Sequence, residues 1–350
     1  MSFIDIILNN LPEIKAPLQK KLSFKQKLKW TLVILVAFFI LGLVPLFGLG
    51  ENSLQQFEFL SMILGASFGS VISLGIGPLV TASIVLQLLN GSGIVDFDLT
   101  SPEGKKRFQG FQKILAVFFI VFEAGIYVFM GGLSPSSSLA AADFRVMQFI
   151  LVGQLIIGGL LIMFMDEIIS KWGFGSGISL FIAAGVSKSI FIQAFSWVKN
   201  TESIGDITYS TGKIPQLFQS LGAGDPQTAF LAIAAITATI FVFVIAVYVQ
   251  AMKIEIPLSF GRIRGYSMRW PLNFFYTSNI PVILVAALMA NIQLFATLLD
   301  KWGHPLLGTF SGSTPVSGIV FWISSPNVLR LLITGSFSWV NLVQALIYIL

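Results

Sequence analysis

The sequence predicts an all-α polytopic membrane protein, a bundle of long apolar helices whose second member is broken. Three observations predict it. Hydrophobic residues make up 55% of the 350-residue chain and only 11% are charged, against about 25% charged in soluble domains. Apolar runs of the roughly 20 residues needed to cross a hydrocarbon core recur along the chain. One of them, "SLGIGPLVTASIVLQLL" (73–89), opens on Gly75-Ile76-Gly77-Pro78, residues that weaken or break a helix.

The first 29 residues read as a cytoplasmic segment lying at the interface. "MSFIDIILNNLPEI" places Ile4, Ile7, Leu8 and Leu11 on one apolar face, and a lysine-rich stretch, "KAPLQKKLSFKQKLKW", follows it. The apolar run is too short and interrupted for a cleaved leader. Spans are predicted near 30–48, 71–90, 114–132, 146–165, 176–196, 228–252 and 279–299; an eighth opens at Asn341 and is about half complete at Leu350, so the chain is expected to be the front part of a longer bundle.

The predicted organisation is therefore a segment 1–29, a first half 30–196 with five spans, an external loop 197–227, and the start of a second half, 228–350. Within that second half, 253–278 reads as a cytoplasmic loop and 300–340 as an external one. "VSGIVFWISSPNVLRLLITG" is apolar, yet Pro326 and Arg330 interrupt it, and inserting it would invert all that follows. With the N-terminus inside, fifteen of the 21 Lys and Arg residues fall on inner segments, the bias of positive-inside topology. The expected location is the cell membrane, multi-pass, with a cytoplasmic N-terminus.

Several chemistries are excluded. The absence of cysteine removes disulfides, thiolate metal sites and a cysteine nucleophile, and the single His304 builds no polyhistidine site. Neither a G-x-x-x-x-G-K-[ST] loop nor an H-E-x-x-H helix is present. "GASFG" (65–69) matches G-x-S-x-G, but small residues are common where membrane helices pack closely, and Ser67 has no base because His304 lies in an external loop. "GFGSG" (173–177) reads as a turn at the membrane border. No enzymatic activity, cofactor or metal is expected.

Ionisable residues inside spans are costly and point to function. Essentially one is present, Glu123 in "VFFIVFEAGIYVF", accompanied by Thr81, Gln87 and Asn291. Singly, each reads as an ordinary interhelical hydrogen-bonding group; together they suggest a polar seam. A small-solute secondary transporter, the alternative reading, predicts several ionisable groups at the midplane. The loop "KIEIPLSFGRIRGYSMRWPLNFFYTSN" (253–279) is basic and aromatic, and its arginines suit phosphate contacts.

"LGIGPLVTASIVLQLL", "FQGFQKILA", "MDEIISKWGFGSGISLFIAAGVS" and "IPLSFGRIRGYSMRWPLNFFYTSNIPVILVAALMANIQLF" closely resemble the SecY family, archaeal type, from about Leu11 to the last residue. The resemblance implies ten spans in two inverted halves around a central pore, of which this chain carries the first five spans, the next two and part of the eighth. It implies that 57–70 is a plug (Phe57, Glu58, Phe59, Leu60, Met62, Ile63, Leu64 and Ser67), with Gly69, Gly75, Gly77 and Pro78 at the bend where the second helix resumes. It also implies a pore ring of Ile76, Val80, Ile178, Ile182 and Ile283, and a lateral gate bordered by Thr81, Gln87, Glu123 and Asn291. The loop of Arg262 and Arg264 would contact the ribosome. The implied activity is passage of unfolded or nascent polypeptides across the membrane and sideways release of transmembrane segments into lipid. The implied partners are a SecE-type (gamma) subunit, a small third (beta-type) subunit, the ribosome, a nascent chain with its signal sequence, and membrane lipid.

Overall fold

The computed structural model describes residues 12–17, 22–52, 66–136, 140–198, 209–258, 268–273, 279–311, 314–326, 328 and 338–349. The described residues are mostly helical, with three small two-stranded pairings between them. Helix α1 (Phe24–Leu43) starts at Ser23, whose hydroxyl accepts the Gln26 amide. Strand β1 (Leu49–Asn52) follows, and helix α2 (Gly77–Gly91) opens with Pro78 in its first turn.

Helix α3 (Pro102–Phe129) begins well before the predicted span, because Ser101 caps it through the Gly104 amide and Pro102 is preset for the first helical position. Its first turns, "PEGKKRFQG", are charged and project beyond the apolar run. Strand β2 (Leu133–Pro135) pairs antiparallel with β1. Helix α4 (Ala141–Trp172) is the longest, and α5 (Gly177–Phe195) follows a short glycine turn in which Gly175 adopts φ +70°. Asp166 of α4 reaches across that turn and accepts the Ile178 amide at 2.9 Å, tying the start of α5 to α4.

The segment expected as an irregular external loop contains helix α6 (Lys213–Ala223). Its Ile214, Leu217, Phe218 and Leu221 recur at helical spacing, a pattern masked by the flanking Gly and Pro. Helix α7 (Pro226–Ala251) is capped by Asp225, which accepts from the Gln227 and Thr228 amides and the Thr228 hydroxyl. Strands β3 (Lys253–Leu258) and β4 (Met268–Asn273) pair antiparallel from Lys253↔Asn273 to Leu258↔Met268, within the segment 253–278 expected as a loop. Helix α8 (Asn279–Lys301), strands β5 (Phe310–Ser311) and β6 (Thr314–Pro315), helix α9 (Gly318–Trp322) and helix α10 (Trp339–Ile349) complete the described chain.

Five described helices are long and apolar enough to cross a membrane: α1, α3, α4, α5 and α7. The chain forms two compact units, Met1–Val186 with Leu284–Leu350, and Ser187–Ile283. In the second unit α6 packs against α7, whose Ile240 to Val244 are all exposed, as suits a lipid-facing helix. In the first unit one apolar cluster joins α2, α3, α4 and α8 through Leu79, Ile120, Leu155 and Leu294. A second joins α1, α2, α4 and α5 through Phe38, Val80, Ile162 and Phe181, with the Phe38 and Phe181 rings stacked at 4.8 Å.

Close approach at the centre depends on two glycines of α4. A Cβ on Gly158 would collide with the Val71 carbonyl, and one on Gly159 would stand 2.7 Å from Ile120. Gly158→Val should therefore lower the thermal midpoint of the purified protein in detergent, with a cost of about 1–3 kcal/mol typical of overpacking. Gly153→Ala, where no atom lies within 4 Å of the added carbon, should leave that midpoint in place.

Candidate pore constriction and gate seam

The break before α2 is a built structure. Residues 71–76 form turns rather than helix, and Gly69 (φ +93°) and Gly75 (φ +56°) occupy the left-handed region that favours glycine. Most of this stretch is buried, so its backbone groups need partners within the protein. Three serines at a spacing of three supply them. The Ser70 hydroxyl donates to the Ser67 carbonyl at 2.6 Å and accepts the Ile72 amide. The Ser73 hydroxyl accepts the Gly69 amide at 2.9 Å and turns toward the Ser67 and Ser70 carbonyls. Ser67 itself donates to the Gly42 carbonyl of α1 at 3.1 Å, a structural commitment rather than a nucleophile's setting.

The two sides of the segment that includes the predicted plug are joined at a neck. Leu46 N–H donates to Gly69 O at 2.9 Å and Val71 N–H to Val44 O at 3.0 Å, with Pro45 opposite Ser70. Gln154 of α4 holds Phe47 at both ends of its amide side chain, accepting from the backbone N–H at 2.9 Å and donating to the carbonyl at 3.1 Å.

Four of the five predicted ring residues meet in one place. Ile76 and Val80, 0% and 1% exposed, belong to the second apolar cluster, and Ile178 and Ile182 of α5 pack against it. Ile283 lies in α8, and its side chain is outside the described residues.

Immediately beside this cluster is a polar contact. Thr81 donates to Gly77 O at 2.9 Å, with Glu123 Oε1 of α3 at 3.5 Å, and accepts the Asn291 Nδ2–H of α8 at 2.7 Å. Glu123 and Asn291 are 1% and 5% exposed. Glu123 Oε2 has no hydrogen-bond partner among the described residues. Three of the four predicted seam residues are thus brought together. Gln87 is not; it is exposed and donates to Ser83 on its own helix. Six residues separate it from Thr81, which turns it about 120° away around the helix. The plug residues Phe57, Glu58, Phe59, Leu60, Met62, Ile63 and Leu64, and the loop residues Arg262 and Arg264, lie outside the described residues.

Sequence reasoning missed a charged cluster between the first part of α3 and the C-terminal end of α4. Glu167 of α4 accepts from Lys113 Nζ of α3 at 2.8 Å, from Lys171 Nζ at 2.9 Å and from the Ile14 amide at 3.0 Å. Lys113 stands 5.7 Å from the centre of the Phe164 ring and also donates to Pro12 O. Lys171 pairs with Glu13 at 2.7 Å and donates to Ile14 O, and Trp172 Nε1–H donates to Lys15 O at 3.0 Å. Residues 12–15 are therefore docked on protein. The available signal was the i, i+4 pair Glu167–Lys171 at a helix end; the expectation that 1–29 lies on lipid obscured it.

A helical membrane protein whose broken second span restarts within a buried apolar cluster, beside a buried polar contact, is of the channel class. The family model described as SecY matches residues 70–350, and that of the plug domain of Sec61p matches 36–69. The chain is 43% identical over 331 residues to the protein translocase subunit SecY of Methanothermobacter thermautotrophicus, covering 93% of this chain and 70% of that one. Among solved structures, one described as a protein conducting channel is similar with a TM-score of 0.79 at 38% identity, over 99% of this chain and 74% of that one. Sec61 in the canine ribosome-channel complex from the endoplasmic reticulum gives 0.78 at 38% identity, over 99% and 74%. The chain belongs to the SecY family.

Two outcomes follow from the site geometry. Ser67→Ala removes one hydrogen bond to Gly42 and should cost about 1 kcal/mol while leaving transport of secretory chains in reconstituted vesicles intact; abolished transport would contradict a purely structural serine. The hydrogen bond and charge of Lys171 hold the Glu13 carboxyl below the usual carboxylate range. A group whose folded pKa is lowered contributes stability above its unfolded value and loses it as the pH falls through the folded one. Docking of residues 12–15 should therefore be complete at neutral pH and weaken below about pH 4. Amide hydrogen exchange across 12–17, corrected for intrinsic rates, should show that loss, and Glu13→Gln should make it smaller.

Proposed function

We propose that this chain is the pore-forming subunit of a protein-conducting channel in the cell membrane, with its N-terminus in the cytoplasm. It passes secretory polypeptides across the bilayer and releases apolar segments sideways into lipid, catalysing no reaction itself. The single observation that carries this reading is that consecutive residues of α2 serve both features. Val80 lies in the apolar cluster with Ile76, Ile178 and Ile182, and Thr81 contacts Glu123 of α3 and Asn291 of α8.

The physics of the two features suits the two routes. Apolar side chains at a narrow point exclude water and so block ions, while aliphatic groups can rearrange around an extended chain without breaking hydrogen bonds. Membrane-embedded hydrogen bonds are worth about 0.6–2 kcal/mol each, so the Asn291–Thr81–Glu123 contact is weak enough for an apolar signal sequence to displace. Ile283 would complete the ring, and residues 57–70 would act as the plug. The family resemblance and the canine Sec61 structure, described as a ribosome-channel complex, support a translating ribosome as partner and energy source, with Arg262 and Arg264 at the contact. A SecE-type subunit and a small beta-type subunit would complete the assembly.

Replacing Ile76 and Ile283 together with Gly in the full-length channel, partner subunits included, should raise the resting ion conductance of planar bilayers while secretion continues. An unchanged conductance would remove these residues from the seal.

A further inference from the structure

The gate reading leaves the charged cluster of α3 and α4 without a role. Helix α3 supplies the seam's carboxylate, Glu123, and Lys113 lies ten residues earlier on the same helix, about 15 Å along the axis. Where α3 passes α4, Ile120 packs against Gly159. Further toward the cytoplasm its position is held by Lys113, which meets Glu167 and the Phe164 ring, and by residues 12–15, which bridge the two helices. Lys113 and Glu167 are each only 15% exposed, so their pairing is less screened than that of a surface pair. Removing Glu167 would leave the Lys113 charge with only the Pro12 carbonyl and the Phe164 ring, whereas Glu167 keeps Lys171 when Lys113 is removed.

The strap is gripped mainly through its backbone. Pro12 O, Ile14 N–H, Ile14 O and Lys15 O are the bonded atoms, and Glu13 adds the one side-chain contact. Such a grip fixes the path of the chain across two helix ends. A helix held at one end by a short lever cannot swing freely at a point 15 Å away.

We propose that Lys113, Glu167 and Lys171 are positioning residues of the lateral gate. Through them the N-terminal strap fastens the cytoplasmic end of α3 to α4, and this sets how apolar a signal sequence must be to part α2 and α3 from α8. The inference rests on the gate reading above. Loosening the fastening lowers the threshold, so weak signals gain most and strong ones little.

The test uses the full-length channel with its partner subunits and a series of secretory substrates whose signal sequences differ in hydrophobicity. Lys113→Met keeps the aliphatic stem over Phe164 and removes the charge; Glu167→Gln keeps an acceptor for Ile14. Each should raise transport of the weakest signals several-fold and leave the strongest unchanged. The double variant should do no more than the larger single, because both act through one contact. Lys15→Ala, whose carbonyl alone is used, should behave as the parent. Asn291→Leu, which removes the seam's bond to Thr81, is run in parallel. If Asn291→Leu lowers the threshold and neither cluster variant does, the positioning role is wrong and the gate reading stands. If none of the three shifts it, both are wrong. An equal loss for every signal in the cluster variants would also overturn the proposal, since that is what mere destabilisation produces.

Discussion

The constraint on which the rest of the structure depends is that backbone polar groups at membrane depth must find partners inside the protein. A continuous helix meets it automatically. This chain abandons helix across 66–76 and meets it with the hydroxyls of Ser67, Ser70 and Ser73, and with left-handed glycines at 69 and 75. The notch at Gly158 and Gly159 of α4 lets that irregular stretch sit against the helix rather than beside lipid. Because the break is satisfied locally, α2 can restart at Gly77 with its first turn, Gly77 to Val80, buried. That restart places Ile76 and Val80 among the aliphatics of α1, α4 and α5.

From this follows the two-faced character of α2. Its Val80 belongs to a contact made of dispersion and exclusion of water, tolerant of changes in shape. Its Thr81 belongs to a contact made of directional hydrogen bonds reaching Glu123 of α3 and Asn291 of α8. Displacing α2 would disturb both contacts at once, so in the proposed channel the two features are coupled through one helix. The cluster at Glu167 ties α3 to α4 and to residues 12–15, on the same helix that carries Glu123.

Much of this was legible in the sequence, because length and hydropathy report the solvent directly. Spans, their order and the interrupted second helix follow from runs of apolar residues and from Gly75, Gly77 and Pro78. The pairing of Ile76 with Val80 and of Ile178 with Ile182 was visible as i, i+4 spacing, but their selection from many similar residues came from resemblance to a family. Gln87 stands apart from the Thr81 contact, as helical periodicity alone sets it about 120° from Thr81. Charge was the least legible feature. Lys113 read as a topology signal, since a Lys–Glu contact between residues 54 positions apart leaves no periodic trace; Lys171 did too, although its i, i+4 spacing from Glu167 was visible. Helix α6 and the β3–β4 hairpin were hidden by Gly and Pro, whose turn-forming signal outweighs a short amphipathic pattern.

The central claim is that polypeptides pass through the constriction formed by α2 and α5. Site-specific photocrosslinking tests it most directly, with a probe at Val80 and then at Ile182 in membranes holding the full-length channel and a ribosome-stalled secretory chain. Adducts to successive residues of the stalled chain, absent from a probe at the lipid-exposed Phe243, are the predicted result. Stalled chains that never crosslink, together with protection of the same positions by a small solute, would contradict the account.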